Sequence, residues 1–142
     1  MKVFAFDVDE CLWTSNGPVT ELMLRELRKE GAILGICGNL SAFIPRCLGW
    51  HEFISFTTNF DLGLFGGAFC SVSLNYGIIP KAIWLMSLKN HVIVNADDYI
   101  MVGNVQGQKN SLGVVCNSQD DVAAAQAGWR FIKESDFAEG VR

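Results

Sequence analysis

Apolar positions in this chain fall into short unbroken runs separated by polar or helix-periodic stretches. The first run, within residues 2–6, is Val3-Phe4-Ala5-Phe6. It lacks the in-and-out alternation of a half-exposed strand, so it predicts a strand covered on both faces, as parallel strands in α/β proteins are. After the turn residues Ser15-Asn16-Gly17-Pro18, Thr20 is placed to cap a helix over 21–30. Leu24 and Leu27 supply that helix with an apolar stripe, and Gly31 ends it. A second buried strand is expected over 32–37, a partly helical stretch over 41–48 and a strand over 52–58. A further helix is expected over 82–88, with Lys81 at or just after its start, then a buried strand over 99–102. An alanine-rich helix follows over Asp120–Ala127, ended by Gly128, and a last short strand over 129–132. Strands alternating with helices predict an α/β fold: one domain over 1–142, a doubly wound, Rossmann-like, mostly parallel sheet flanked by helices.

Composition narrows this picture little but usefully. The 142 residues suit one domain, and half of them are hydrophobic, enough for one core. A net charge of −4 offers no basic stripe for a nucleic-acid backbone, so no nucleic-acid partner is favoured. The five cysteines are odd in number and contain no CxxC pair, and with only His51 and His91 as imidazoles a zinc site is disfavoured. No apolar run approaches the ~20 residues of a membrane span. The N-terminus enters the first strand directly, without a signal-like segment, so a reducing cytoplasmic setting is expected.

The chemistry concentrates where the first strand ends, at Asp7-Val8-Asp9. Carboxylates at the carboxyl end of a buried parallel strand stand where open α/β sheets bind ligands. Two of them, two residues apart on extended chain, point to the same side. Unpaired, they would repel, so the pattern calls for a bound cation or a shared proton.

Asp7-Val8-Asp9-Glu10-Cys11-Leu12 resembles the first motif of the haloacid dehalogenase superfamily, an apolar strand followed by Asp-x-Asp-x-Thr-Leu, with Cys11 at the usual threonine. The resemblance implies that Asp7 attacks phosphorus and that Asp9 is the general acid and base. Ile33-Leu34-Gly35-Ile36-Cys37-Gly38-Asn39 resembles the second motif, which implies phosphate contacts from Cys37, Gly38 and Asn39, with a thiol in place of a hydroxyl. An alternative register puts Gly38 at the hydroxyl position. Pro80-Lys81 resembles the third motif, a lysine near a helix start that neutralises charge beside the nucleophile and binds phosphate. Ile100-Met101-Val102-Gly103-Asn104, then Asp120-Asp121 opening the alanine-rich helix, resembles the fourth, with Asn104 at its first acid.

The resemblance implies a magnesium ion held by Asp7, Asp9, Asn104 and Asp120, with Asp121 as the fallback for the last. A competing register uses Asp97 and Asp98; it leaves no room for a helix before the strand at 99–102. The fold implied is one with no cap domain, because the stretch between Cys11 and Thr20 is too short for one. The segment from Asn39 to Pro80 must in turn supply a strand and helix of its own. Within it the glycine- and aromatic-rich residues 60–69 predict a loop or hairpin beside the site, and Phe60, Phe65 and Phe69 are either ordinary core residues or, if exposed, candidates for a homo-oligomer interface. Arg46 is a candidate anion contact.

The function so implied is magnesium-dependent hydrolysis of a phosphomonoester through an aspartyl-phosphate, on a phosphorylated substrate. The alternative is a catalytically impaired domain of the same type that binds phosphate or another protein; Cys37, Asn104 and the long stretch 105–117 favour it. Asp7, Asp9 and Lys81 favour the enzyme.

Overall fold

The computed structural model describes residues 1–38, 58–61, 78–116 and 118–142. Four strands form one parallel sheet: β1 (Lys2–Phe6), β2 (Ile33–Ile36), β3 (Asp98–Gly103) and β4 (Arg130–Lys133), in the order β2-β1-β3-β4. Among the described residues four α-helices accompany them: α1 (Glu21–Lys29), α2 (Ile78–Ser87), α3 (Asp120–Ala127) and α4 (Glu134–Ala138), and a wider π-type turn, Leu88–Val92, extends α2.

Both faces of the sheet are covered, and β1 shows why its sequence has no alternation. Phe4 and Phe6 point to one face, into a cluster with Leu24 and Leu27 of α1, Leu34, Ile36, Ile100, Val102 and Phe137 of α4. Val3 and Ala5 point to the other, against Leu85 of α2 and Ala124 and Ala127 of α3. Alternate residues of one strand thus enter two separate cores, so every position must be apolar. The aromatic side of this packing is tight: Phe6 meets Phe137 edge to face at 5.4 Å and Phe60 at 6.4 Å.

The ends of the elements follow local chemistry. Thr20 accepts from the Met23 amide at 3.4 Å as N-cap of α1, and Gly31 adopts φ +85° just beyond it. Gly128 ends α3 at φ +73°. The predicted strands shift by a residue or two at their ends. The helix predicted over 82–88 begins earlier, at Ile78, and Pro80 falls inside its first turn, where a missing N–H costs no hydrogen bond. Lys81 therefore sits within the opening turn of α2.

The free edge of β2 is closed by 58–61: Asp61 accepts from the Leu34 amide through Oδ2 at 3.0 Å, and its own amide donates to the Leu34 carbonyl at 2.8 Å. Phe60 is buried at 7% exposure against Phe6, so of its two expected places, core or exposed interface, it takes the core. The predicted elements at 41–48 and 52–57, and Asn39, Arg46, Phe65 and Phe69, lie outside the described residues. Among the described residues no helix is long and apolar enough to cross a membrane.

Candidate active site

The chain leaves β1 for β2 on one side and returns to β3 on the other. Their carboxyl ends therefore flank the point where the strand order reverses, the place where open parallel sheets hold ligands. Asp7 follows β1 directly and Asn104 follows β3 directly, so the topology brings them together across 97 residues of sequence.

The Asp7 carboxylate is 2% exposed and accepts on both oxygens. Lys81 Nζ donates to Oδ1 at 2.9 Å, and Asn104 Nδ2 donates to Oδ2 at 2.5 Å. Lys81 also donates to Asp120 Oδ1 at 2.6 Å, while Asp120 Oδ2 accepts from the Asn104 backbone amide at 2.8 Å. Asp120 opens α3, and its approach to β3 depends on Gly103: a Cβ there would lie 2.4 Å from Asp120 Oδ2. Gly38 plays the same part on the other side, since a Cβ would lie 2.8 Å from the Val8 amide nitrogen and 3.1 Å from Asp7 Oδ1. Neither glycine can carry a side chain without displacing a carboxylate or backbone.

Asp9 joins through its backbone: its carbonyl accepts from Asn104 Nδ2 at 2.7 Å, and Asp9 itself is half-buried. The turn that presents it is sharp. Glu10 adopts φ +55°, a left-handed conformation uncommon for glutamate, and the Cys11 and Leu12 amides fold back onto the Val8 carbonyl. Asn110, from the long stretch after β3, braces this turn. Its Nδ2 donates to the Asn16 carbonyl at 2.9 Å and the Glu10 carbonyl at 3.3 Å, while its Oδ1 accepts from the Leu112 and Val114 amides. Sequence reasoning gave Asn110 no role.

Among the described residues of the cluster, two buried carboxylates, Asp7 and Asp120, face one ammonium, that of Lys81. Burial and the neighbouring Asp120 push the Asp7 pKa well above the usual carboxylate range, against the pull of Lys81. Burial opposes the Lys81 charge, but Asp120 and Asp7 overcome it and hold that ammonium well above the ordinary lysine value. Burial, reinforced by Asp7 and Asp120, raises the Cys11 thiol too, so Cys11 stands in the core as a neutral thiol donating to the Val102 carbonyl. The Cys37 thiol packs beneath α2, 3.9 Å from the Lys81 carbonyl, and the Cys37 amide donates to the Phe6 carbonyl at 2.8 Å.

Of the acids proposed for the second half of the site, Asp120 reaches the cluster and Asp121 is half-buried one residue further along α3. Asp98 and Asp97 are elsewhere. Asp98 begins β3 beside Lys2 and pairs with Arg130, and Asp97 pairs with the N-terminal ammonium, at the opposite end of the sheet. The competing register through this pair is thereby corrected: the strand that follows them carries them a full strand length away from Asp7.

One buried acid near the site was missed. Glu134, the first residue of α4, is fully buried at the carboxyl end of β4, and its Oε2 has no hydrogen-bond partner. Burial raises its pKa, and the Cys116 thiol beside it, itself pushed up to about 12, first by burial and then by Glu134, donates weakly to Oε1 at 3.9 Å. A carboxylate two residues after the strand predicted over 129–132 was the available signal.

Asp7 Oδ2 and the Asp9 carbonyl oxygen converge on the Asn104 side chain, and Asn104 Oδ1 is a buried oxygen without a partner among the described residues. Carboxylate, backbone carbonyl and amide oxygens are the donor types a hard divalent cation takes. Among the described residues no three His, Cys, Asp or Glu side chains cluster as a metal site. Compared with family models, curated proteins and solved structures, the chain finds no match in any of the three.

Proposed function

We propose that the chain is a magnesium-dependent phosphohydrolase of the haloacid dehalogenase type, without a cap domain. The observation that carries the reading is the convergence of Asp7, Lys81, Asp120 and Asn104 at the switch point of the sheet, with the Asp9 carbonyl in the same cluster. Asp7 attacks phosphorus; the bond to the leaving oxygen breaks, and Asp9 gives that oxygen its proton. Asp9 then takes a proton from water, which attacks the aspartyl-phosphate at phosphorus and releases phosphate, restoring both acids. Lys81, fixed by Asp120, holds the nucleophile and offsets charge that builds on the phosphoryl oxygens. Magnesium, held by Asp7, the Asp9 carbonyl and Asn104, would keep Asp7 ionised and neutralise the phosphoryl group. Asp120 is engaged by Lys81 and the Asn104 amide, so its part is to position those groups.

On this reading the substrate is a phosphorylated molecule, the setting is the reducing cytoplasm, and a second copy of the chain is a candidate partner. The buried free thiols of Cys11, Cys37 and Cys116 agree with that setting. A second reading, a phosphate- or protein-binding domain that has lost efficient chemistry, draws on one observation: Asn104 supplies no negative charge where a cation would sit. The test is turnover of simple phosphomonoesters with magnesium. Wild type should hydrolyse them and Asp7→Asn should lose roughly 10³-fold or more in kcat; undiminished turnover in Asp7→Asn would end the enzyme reading.

A further inference from the structure

Among the described residues the Asn104 side chain is bonded on one atom only. Its nitrogen makes two short hydrogen bonds, to Asp7 Oδ2 at 2.5 Å and the Asp9 carbonyl at 2.7 Å, and its oxygen, equally buried, makes none to them. Two acceptors on one side dictate that the nitrogen faces them; the reverse assignment would press three oxygens together. The amide N–H groups therefore occupy the position that would otherwise need a cation.

We propose that Asn104 is a two-position amide that stands in for the cation: nitrogen inward when the site is empty, oxygen inward when a divalent cation binds. This rests on the reading of Asp7 and the Asp9 carbonyl as cation ligands. The residue is built for such an exchange. Its backbone amide is anchored on Asp120 Oδ2 at 2.8 Å, and Gly103 before it leaves Asp120 room to hold that bond, so the Cα stays fixed. The terminal torsion of asparagine is soft and two-fold, and a half-turn exchanges N and O with almost no change of shape. With a cation present, the orphaned Oδ1 becomes a ligand and the repulsion among three oxygens becomes attraction to one charge. The exchange moves the NH2 group to the buried place where Oδ1 now finds no partner, and an unsatisfied buried donor is unfavourable. Cation binding is therefore weaker than an acid at this position would give, and the empty site is stable without metal.

The test compares wild type with Asn104→Asp, with EDTA and with magnesium alone as the probe. In EDTA, Asn104→Asp places a carboxylate against Asp7 Oδ2 and the Asp9 carbonyl, and its thermal midpoint should fall by about 5–10 °C. Magnesium should restore it, with an affinity roughly 10–100-fold tighter than wild type shows. In wild type, the Asn104 side-chain NH2 resonances should exchange slowly with solvent in EDTA and move on magnesium addition, an observation that needs no variant. Equal midpoints in EDTA, or rapidly exchanging Asn104 NH2 protons, would overturn the stand-in role. Absence of a magnesium response in both proteins would overturn the cation reading, and the two-position exchange with it, while the EDTA arms would still report whether the amide bonds hold the empty site.

Discussion

The two ends of the sheet use the same kinds of residue in opposite ways. At the amino end, Asp98 pairs with Arg130 at 2.8 Å and Asp97 with the N-terminal ammonium, in positions open to water. At the carboxyl end, Asp7, Lys81, Asp120, Asn104 and Glu134 are all less than 10% exposed. An exposed pair gains little, because water and salt screen it and two long side chains must be ordered. A buried cluster is costly to assemble and costly to break, because each charge depends on its partners. Stability does not call for such a cluster, since apolar residues of similar volume would serve as well or better. The buried cluster at the carboxyl end is therefore where the proposed chemistry is placed.

The sharpest way to break this contrast is Lys81→Met, which leaves two buried carboxylates without their ammonium. It should destabilise the chain by about 3–5 kcal/mol, read by denaturant unfolding at neutral pH. Part of that loss should return at acid pH, where Asp7 takes up a proton. An effect below about 1 kcal/mol would mean that water reaches the cluster and screens it as it does an exposed pair.

Glu134 gives a smaller and pH-dependent effect. Its folded-state pKa is raised above the ordinary glutamate value of 4.5 by burial. Its contribution to stability is thus full below pH 4.5 and is lost as pH rises through the folded pKa. Glu134→Gln keeps the volume and removes the titration, so it should flatten that decline and recover on the order of 1 kcal/mol at pH 8. Parallel pH profiles for the two proteins would contradict the assignment.

Arg130→Ala, at the amino end, is the mild counterpart. The Asp98 pKa is lowered by its hydrogen bond with Arg130, so the pair stabilises at neutral pH. That contribution is lost as pH falls below about 4, through the folded pKa. The substitution should cost no more than about 1 kcal/mol at pH 7, shrinking in high salt. A larger loss would erase the distinction between the two ends.

Much of this architecture is legible in the amino-acid sequence alone. The unalternating run before Asp7 required two covered faces, and the two clusters that divide Phe4 and Phe6 from Val3 and Ala5 supply them. Asp7, Lys81 and Asp120 lie at the ends or first turns of elements whose boundaries leave local signals in Pro80, Gly103 and Gly128, but that Lys81 and Asp120 would stand beside Asp7 was implied by the motif resemblance. What spacing cannot encode is orientation. Which atom of Asn104 faces Asp7 depends on two acceptors from separate segments, and Asp9 contributes to the cluster by its carbonyl, which every residue has. Phe60 could be read as core or as interface from a glycine-rich stretch alone; its neighbours in space, Phe6 and the β1 core, decide for the core. Asn110 sits in a stretch with no periodicity, and only the fold brings it to the Glu10 and Asn16 carbonyls.

The central claim is that Asp7 carries the phosphoryl group. It is tested most directly by acid-quenching wild type during turnover of a reactive phosphomonoester with magnesium and locating any phosphate by peptide mass spectrometry. The account predicts a hydroxylamine-labile phosphate on Asp7, absent from Asp7→Asn. Turnover with phosphate on another residue, or activity undiminished in Asp7→Asn, would contradict it.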